Sequence, residues 1–497
     1  MRRRLRTAVL ATAVSAALLG ASAPPAPLGI GDPLYPYLGN PGYDVTSYDL
    51  SLTYPGDNTT PLRAVTTIDA RTTEPLERVN LDFTHGTVDS VTVDGRPASF
   101  TTVGEDLVVT PRTPLPARHR MRITVRHTSD PRDVKGREGG WVRTEDGLAL
   151  ANQADAAHTV FPCNDHPADK ALFTFRITVP QGYTAVANGL PVGTTRSGAT
   201  RTWTYRTRHP MATELAQVSI GRSAVLHRPG PHGLPLRDVV PAEDRTALEP
   251  WLAKTPGQIA WMESKVGRYP FETYGLIAAA AQTGFELETQ TISLFEEHLF
   301  TNPDYPAWYV ESVMVHELAH QWFGDSVTPR TWSDLWLNEG HATWYEALYA
   351  EEKAHRPLEE RMKAAYGASD LWRRDGGPPA RPKPSAPGKK VGIFRPNVYD
   401  GAALVLYALR QEIGRPAFER LERAWVREHR DANAGTADFV RLASTIAGRD
   451  LSGFFHDWLY GATTPPMPGH PDWKPTPADQ PATTAGHTGS TERTLRP

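Results

Sequence analysis

Two histidines four residues apart, in Val315-His316-Glu317-Leu318-Ala319-His320, could reach one metal ion together if this stretch is helical, because that spacing stacks them one turn apart on one face. Glu317 points about 100° away from His316 and is free to handle a proton instead of ligating. Eighteen residues separate His320 from Glu339, which lies in Trp336-Leu337-Asn338-Glu339-Gly340. Glu339 opens a second apolar-patterned run over 335–349, and the segment 325–334 before it contains Pro329 and turn-forming residues. Two helices joined by a loop would bring Glu339 back as third ligand. Two histidines and a carboxylate leave a fourth position for water, which is the arrangement of a catalytic zinc site holding one Zn2+ ion. Cobalt or manganese could substitute in the test tube, since the metal is inferred from ligand type. The plain alternative is an amphipathic helix with two solvated or core-capping histidines.

A zinc ion lowers the pKa of water to about 7, so Glu317 could finish deprotonating it near neutral pH. The same carboxylate could then return the proton to a leaving nitrogen.

The elements that must position these residues are legible in outline. Residues 1–23, MRRRLRTAVLATAVSAALLGASA, carry Arg2, Arg3, Arg4 and Arg6, then a small-residue apolar run, then Ala21-Ser22-Ala23. That is the layout of a secretory signal peptide, and it predicts a secreted, extracellular protein. No later run is long enough to span a bilayer, so no membrane anchor is expected in the mature form. Without the four leader arginines, 53 basic against 56 acidic residues become a net charge of about −7, which suggests neither nucleic acid nor an anionic membrane as partner. The single cysteine, Cys163, allows no internal disulfide and reads as a small packed residue.

From 33 to 226 the pattern has period two: Tyr48, Leu50 and Leu52 alternate with Asp49 and Ser51, and Phe173, Phe175, Ile177 and Val179 repeat the rhythm. Asp94-Gly95 and Asn188-Gly189 are hairpin signals. An N-terminal antiparallel β domain follows from this. The Pro/Gly-rich stretch 227–236, HRPGPHGLPL, reads as a domain boundary. From 237 to 465 the period is mainly helical after an apolar, strand-like interlude at 274–294, and Gly414 and Gly448 are placed to stop two helices. Residues 466–497, rich in Pro, Thr and Gly, are expected to be a disordered tail. The fold class is therefore α+β multidomain. Asp165 and His166 have no spacing partners for a second metal and read as loop structure.

HELAHQWFGD, the 18-residue spacer and WLNEG resemble the gluzincin aminopeptidases, the family of aminopeptidase N (peptidase family M1). The resemblance spans roughly 33–467 and implies a β domain followed by a thermolysin-like, mainly helical zinc catalytic domain. It also implies the removal of N-terminal residues from peptides. FPCNDHPADK, within 153–170, resembles the family stretch that closes on the active site. Carried over residue by residue, Tyr399 in Val398-Tyr399-Asp400-Gly401-Ala402 would stabilise the oxyanion, although Gly401 and Ala402 stand where Lys and Gly are usual. Glu288 in Glu286-Leu287-Glu288-Thr289 would bind the substrate's α-ammonium, with Phe285 and Thr289 departing from the family's Gly-x-Met-Glu-Asn. Glu286 is expected to face away from Glu288. Gln153 would line the pocket for the first side chain.

Asp325 replaces an Asn and His341 a Phe; either could add a contact near the site, and His341, two residues beyond Glu339, is not expected to ligate. Only 98 residues follow Tyr399, so the large C-terminal helical domain of the family is expected to be missing and the cleft to be more open. Two rival readings remain. A secreted zinc endopeptidase would use the same zinc and Glu317 without an amine anchor, and a catalytically retired peptide-binding protein would use the scaffold alone.

Overall fold

The alternating residues of the N-terminal half form strands because every second side chain there is apolar and must find a common face. In the computed structural model, which describes residues 29–132, 139–281, 283–384 and 392–476, these strands join a ten-stranded sheet. Tyr43–Thr53 lies near its middle, antiparallel to Leu62–Thr72 with Tyr48 opposite Ile68. On its other side it pairs in parallel with Leu172–Pro180, Tyr48 opposite Phe173. The expectation of purely antiparallel pairing therefore needs correcting at this one seam. Period-two patterning specifies which face is buried but says nothing of strand direction. On the inner face Phe173, Phe175, Ile177, Ile68 and Ile123 are all inaccessible to solvent, and the Tyr48 ring stacks on Phe173 at 4.8 Å.

The stretch 227–236, read as a domain boundary, forms a hairpin. Ser223–Pro229 and Pro235–Pro241 pair antiparallel across a turn in which His232 has φ 54° and Gly233 φ 77°; Pro and Gly here mark a tight reversal, not a linker. These two strands continue in parallel into Leu276–Ala279 and Ser293–Glu296. The four-stranded sheet is the seam of the molecule. Ile277, Ala279 and Leu294 face the core of the β domain, while Leu276, Ala278 and Phe295 face the core of the helices. Alternation along one strand thus supplies both hydrophobic cores.

Beyond the seam the chain is helical. Asp400–Ile413 and Thr436–Ala447 are followed by Gly414 at φ 79° and Gly448 at φ 69°, conformations that glycine adopts without a Cβ penalty. Part of the expected disordered tail packs: Met467 and Trp473 are buried, and the Trp473 indole stacks on Tyr407 at 5.8 Å and 7°. Composition concealed this because one tryptophan over an aromatic platform can hold a Pro-rich segment. Residues 477–497, the leader-like residues 1–23, and 385–390 of the Pro-rich loop 376–390 lie outside the described residues. No described helix is long and apolar enough to cross a membrane.

FPCNDHPADK reaches from the β domain to the catalytic side. His166 Nε2 and the Trp332 backbone N–H both donate to Asp32 Oδ2, at 3.1 and 2.8 Å. Lys170 Nζ donates to the carbonyls of Asp325 and Ser326 at 2.8 and 3.0 Å. Asp165 instead accepts from His158 Nδ1 and Thr213 Oγ1, both at 2.7 Å, and Cys163 is fully buried, with burial pushing its thiol pKa up.

Candidate active site

Two helices assemble the metal-binding group. Ala307–Ala319 starts after Pro306 and ends on His320 as its C-cap. It runs through the interior, so Val310, Val313, Met314, Val315 and Leu318 are buried around it along with His316, Glu317 and His320. Trp336–Ala354 packs against it and presents Glu339 in its first turn. Between them, Thr331 and Asp334 form a capping box over Trp332–Asp334, which fixes where the second helix begins.

His316 Nε2 and His320 Nε2 lie 3.4 and 3.5 Å from Glu339 Oε2, and among the described residues that buried oxygen has no hydrogen-bond donor. Two donors each about 2.05 Å from one tetrahedral ion stand about 3.3 Å apart, so these three atoms fit a single small divalent cation. The other nitrogen of each ring is engaged: His316 Nδ1 with Glu346 Oε2 at 3.0 Å and His320 Nδ1 with the Phe323 carbonyl at 3.1 Å. Both imidazoles are thereby set to offer Nε2. A second trio, Glu288, Glu317 and His320, also has ligand atoms within 4.8 Å of one another. It shares His320, whose Nε2 faces Glu339, so the two groupings are alternatives and the ring orientation favours the first.

The electrostatics point the same way. Burial disfavours charged imidazoles, yet Glu339 and Glu346 raise the His316 pKa, and Glu288 and Glu339 raise that of His320. Burial would lift Glu339, but His320 and His316 hold it below the usual carboxylate range. Positive charge is wanted between these groups. Glu317 is pushed up by burial, opposed by His316 and His320, with Glu288 and Glu286 adding to the rise. The Glu286 charge therefore acts on Glu317, and the expected alternation with Glu288 does not apply. Residues two apart on a strand share a face, and 283–290 is not strand apart from the Leu287–Leu294 bridge.

Tyr399 is the N-cap of Asp400–Ile413, and its ring lies 6.0 Å from that of His316 at 24°. This helix can approach so closely because Gly340 faces Ala402; a Cβ at Gly340 would stand 2.7 Å from that of Ala402. Glu288 lies on a loop held by three hydrogen bonds from two side chains. Gln321 Nε2 donates to the Glu288 carbonyl at 3.3 Å, Gln321 Oε1 accepts from Thr291 N at 2.8 Å, and Asn188 Nδ2 donates to the Gln290 carbonyl at 2.6 Å. Thr291 is held at φ 70°, a strained value for a β-branched residue. Gln153 Nε2 donates to Glu288 Oε1 at 2.6 Å, so Gln153 joins the Glu288 side of the site.

The sequence reading missed Glu346, Arg361 and Glu214. Glu346 stands seven residues, two helical turns, after Glu339 on the same face, and that spacing could have revealed it. Arg361 lies on a different helix, Leu358–Gly376, where it carried no local signal. Glu214 is buried beside Gln153 and Glu288, and burial with the nearby Glu288 raises its pKa well above the usual range. Asp325 is also fully buried, with burial and then Glu288 raising its pKa. His341 stacks on Phe323 at 4.3 Å and donates from Nδ1 to the Leu337 carbonyl, away from the metal-binding atoms.

Comparison with known proteins bears on this constellation. Residues 252–458 match the peptidase family M1 domain and 142–215 the peptidase M1 N-terminal domain. The chain is 28% identical over 328 residues to glutamyl aminopeptidase of Bos taurus, covering 64% of this chain and 34% of that protein. With aminopeptidase N of Streptomyces lividans it shares 25% over 435 residues, 84% of this chain and 50% of that one. The chain thus spans half or less of the length of these curated relatives. A crystal structure of an M1 zinc metallopeptidase from Deinococcus radiodurans superposes with a TM-score of 0.77 at 29% identity, over 90% of this chain and 99% of that one. A mutant of that enzyme bound to a Tyr-Ser-Ala substrate superposes equally well, with a TM-score of 0.77 at 28% identity, over 89% of this chain and 100% of that one.

Proposed function

The chain belongs to the M1 peptidase family, and we propose that it acts as a zinc-dependent aminopeptidase, releasing N-terminal residues from peptides one at a time. The observation that carries the exopeptidase part is the nearness of Glu288 to Glu317: with His320, their ligand atoms all lie within 4.8 Å. In a peptide the α-nitrogen and the carbonyl carbon of the first residue are only about 2.5 Å apart. An ammonium held by Glu288 therefore leaves room for one residue before the bond facing Glu317.

In this reading His316, His320 and Glu339 hold one zinc ion. When bound, zinc supplies a Lewis acid that acidifies water and polarises a carbonyl. Glu288, with Gln153 beside it, anchors the α-ammonium and sets the register. Glu317, buried and next to His316 in the chain, takes the proton of the attacking water and returns it to the leaving nitrogen. The Tyr399 hydroxyl donates to the oxygen that gains charge as the carbonyl is attacked. Glu339 contributes its carboxylate in a charged form favoured by the two histidines.

Secretion is part of the proposal, supported by the leader-like residues 1–23. N-terminal sequencing of protein recovered from the medium tests it; an intact residue 1 would count against it.

The activity is tested with one peptide bearing a free N-terminus and its N-acetylated twin, each with and without a zinc chelator. Stepwise, chelator-sensitive cleavage of the free peptide alone is expected. Internal cleavage of both would make the protein an endopeptidase, and cleavage of neither across a varied peptide set would favour a binding role.

A further inference from the structure

We propose that Arg361 is a positioning residue that couples the orientation of His316 to that of Tyr399; the inference rests on the aminopeptidase reading. Arg361 sits on Leu358–Gly376, a helix carrying none of the residues assigned to the chemistry. Its guanidinium joins carboxylates from two other helices: Nη1 donates to Glu346 Oε1 at 3.1 Å and Nε to Asp400 Oδ1 at 2.8 Å. The second oxygen of Glu346, Oε2, accepts from His316 Nδ1 at 3.0 Å. Asp400 directly follows Tyr399, whose ring lies 6.0 Å from the His316 ring. His316, Glu346, Arg361 and Asp400 thus form one hydrogen-bonded chain across four helices. It begins at a metal-binding imidazole and ends one residue from the oxyanion donor.

The residue types suit that task. Glu346 and Asp400 are both nearly buried, their side chains 9% exposed, and without a cation between them each would be a desolvated charge. A planar guanidinium serves two carboxylates in a fixed relative geometry, which the point charge of a lysine does not. Glu346 must remain an acceptor for His316 so that Nε2 keeps its lone pair. Asp400 lies in the first turn of its helix, so fixing its carboxylate fixes the turn that Tyr399 caps. The Glu288 loop hangs on Gln321 and Asn188, outside this chain of contacts.

The test uses the full chain carrying Arg361→Ala, Arg361→Lys, Tyr399→Phe or Arg361→Ala with Tyr399→Phe. Zinc affinity is read by competition with a chromophoric chelator, and kcat and KM are measured on a free-amine peptide at saturating zinc. Arg361→Ala is expected to weaken zinc binding about 10- to 100-fold. Its kcat should fall about 100-fold with KM nearly unchanged. Arg361→Lys should restore zinc affinity in part but leave kcat low. The double variant should lose little more than the worse single variant, because both changes remove one contribution. Asp400→Asn breaks only the far link and covers the case in which Arg361→Ala does not fold; it should lower kcat and leave zinc affinity alone. Parental zinc affinity and kcat in Arg361→Ala, or losses that multiply with Tyr399→Phe, would overturn the proposal. A parent protein that binds zinc but cleaves nothing would instead remove the aminopeptidase reading, and the zinc affinity of Arg361→Ala would still decide the claim at His316.

Discussion

Replacing Gly340 by alanine probes the contact that holds Tyr399 against the metal-binding helices. The new methyl would stand 2.7 Å from Ala402 Cβ, 3.3 Å from its carbonyl carbon and 3.5 Å from its Cα. Carbon atoms rest at about 3.5–4.0 Å, so the two helices must part by about 1 Å. No side-chain rotation relieves the clash, because both groups are methyls fixed to the backbone. Overpacking of this kind costs about 1–3 kcal/mol, and removing a glycine from a helix interior recovers about 1 kcal/mol. The net loss of stability should be about 0–2 kcal/mol, a shift of a few degrees in Tm. The catalytic effect should be larger. Gly340 adjoins Glu339, Ala402 lies three residues from Tyr399, and a 1 Å error in a catalytic group costs about 100-fold in rate. We expect kcat to fall about 10- to 100-fold, with zinc content intact by metal analysis and Tm nearly preserved by calorimetry. A Gly340→Ala protein that turns over at the parental rate would refute the reasoning that this contact sets the position of Tyr399.

Three further outcomes are expected. Glu317→Gln should retain zinc while kcat drops about 10²- to 10⁴-fold, and turnover equal to the parent's would remove Glu317 from the mechanism. Glu288→Ala should lower kcat/KM on free-amine peptides about 100-fold with zinc content unchanged; a change of less than twofold would favour the endopeptidase reading. His127 is held neutral in the β domain, its pKa lowered from 6.5 to about 4 by burial, with its Nδ1 donating to the Thr128 carbonyl and Thr66 against Nε2. The unfolded chain binds this proton first, so stability contributed by the neutral ring is present above pH 6.5 and lost as pH falls toward 4, by about 3 kcal/mol. Thermal melts of parent and His127→Gln should therefore converge as pH is lowered from 7 to 4.5, and parallel curves would contradict this.

Part of the site was legible because it is local. A four-residue spacing from His316 to His320, a turn-rich spacer and Glu339 at a helix start are statements about one stretch of backbone; helical geometry puts the two histidines on one face, and the packing of two adjacent helices brings Glu339 to them. The alternation in 43–53 and 172–180 likewise specified a buried face before any fold was known. The Pro/Gly run at 227–236 was legible only as a turn. That the turn closes a hairpin depends on the partners its flanks find: Ser223–Pro229 pairs with Pro235–Pro241, which in turn pairs with Leu276–Ala279.

The sequence by itself determined the candidate donor set, the carboxylate proposed as general base and the two kinds of layer, since these follow from residue type and from the periods of strand and helix. Only the tertiary structure decided that Gln153 meets Glu288 across 135 positions, that one sheet faces two cores, and that Arg361 ties Glu346 to Asp400. Those contacts join segments whose separation along the chain carries no periodic signal, and they exist only because the packing of helices and sheets brings those side chains within reach of one another.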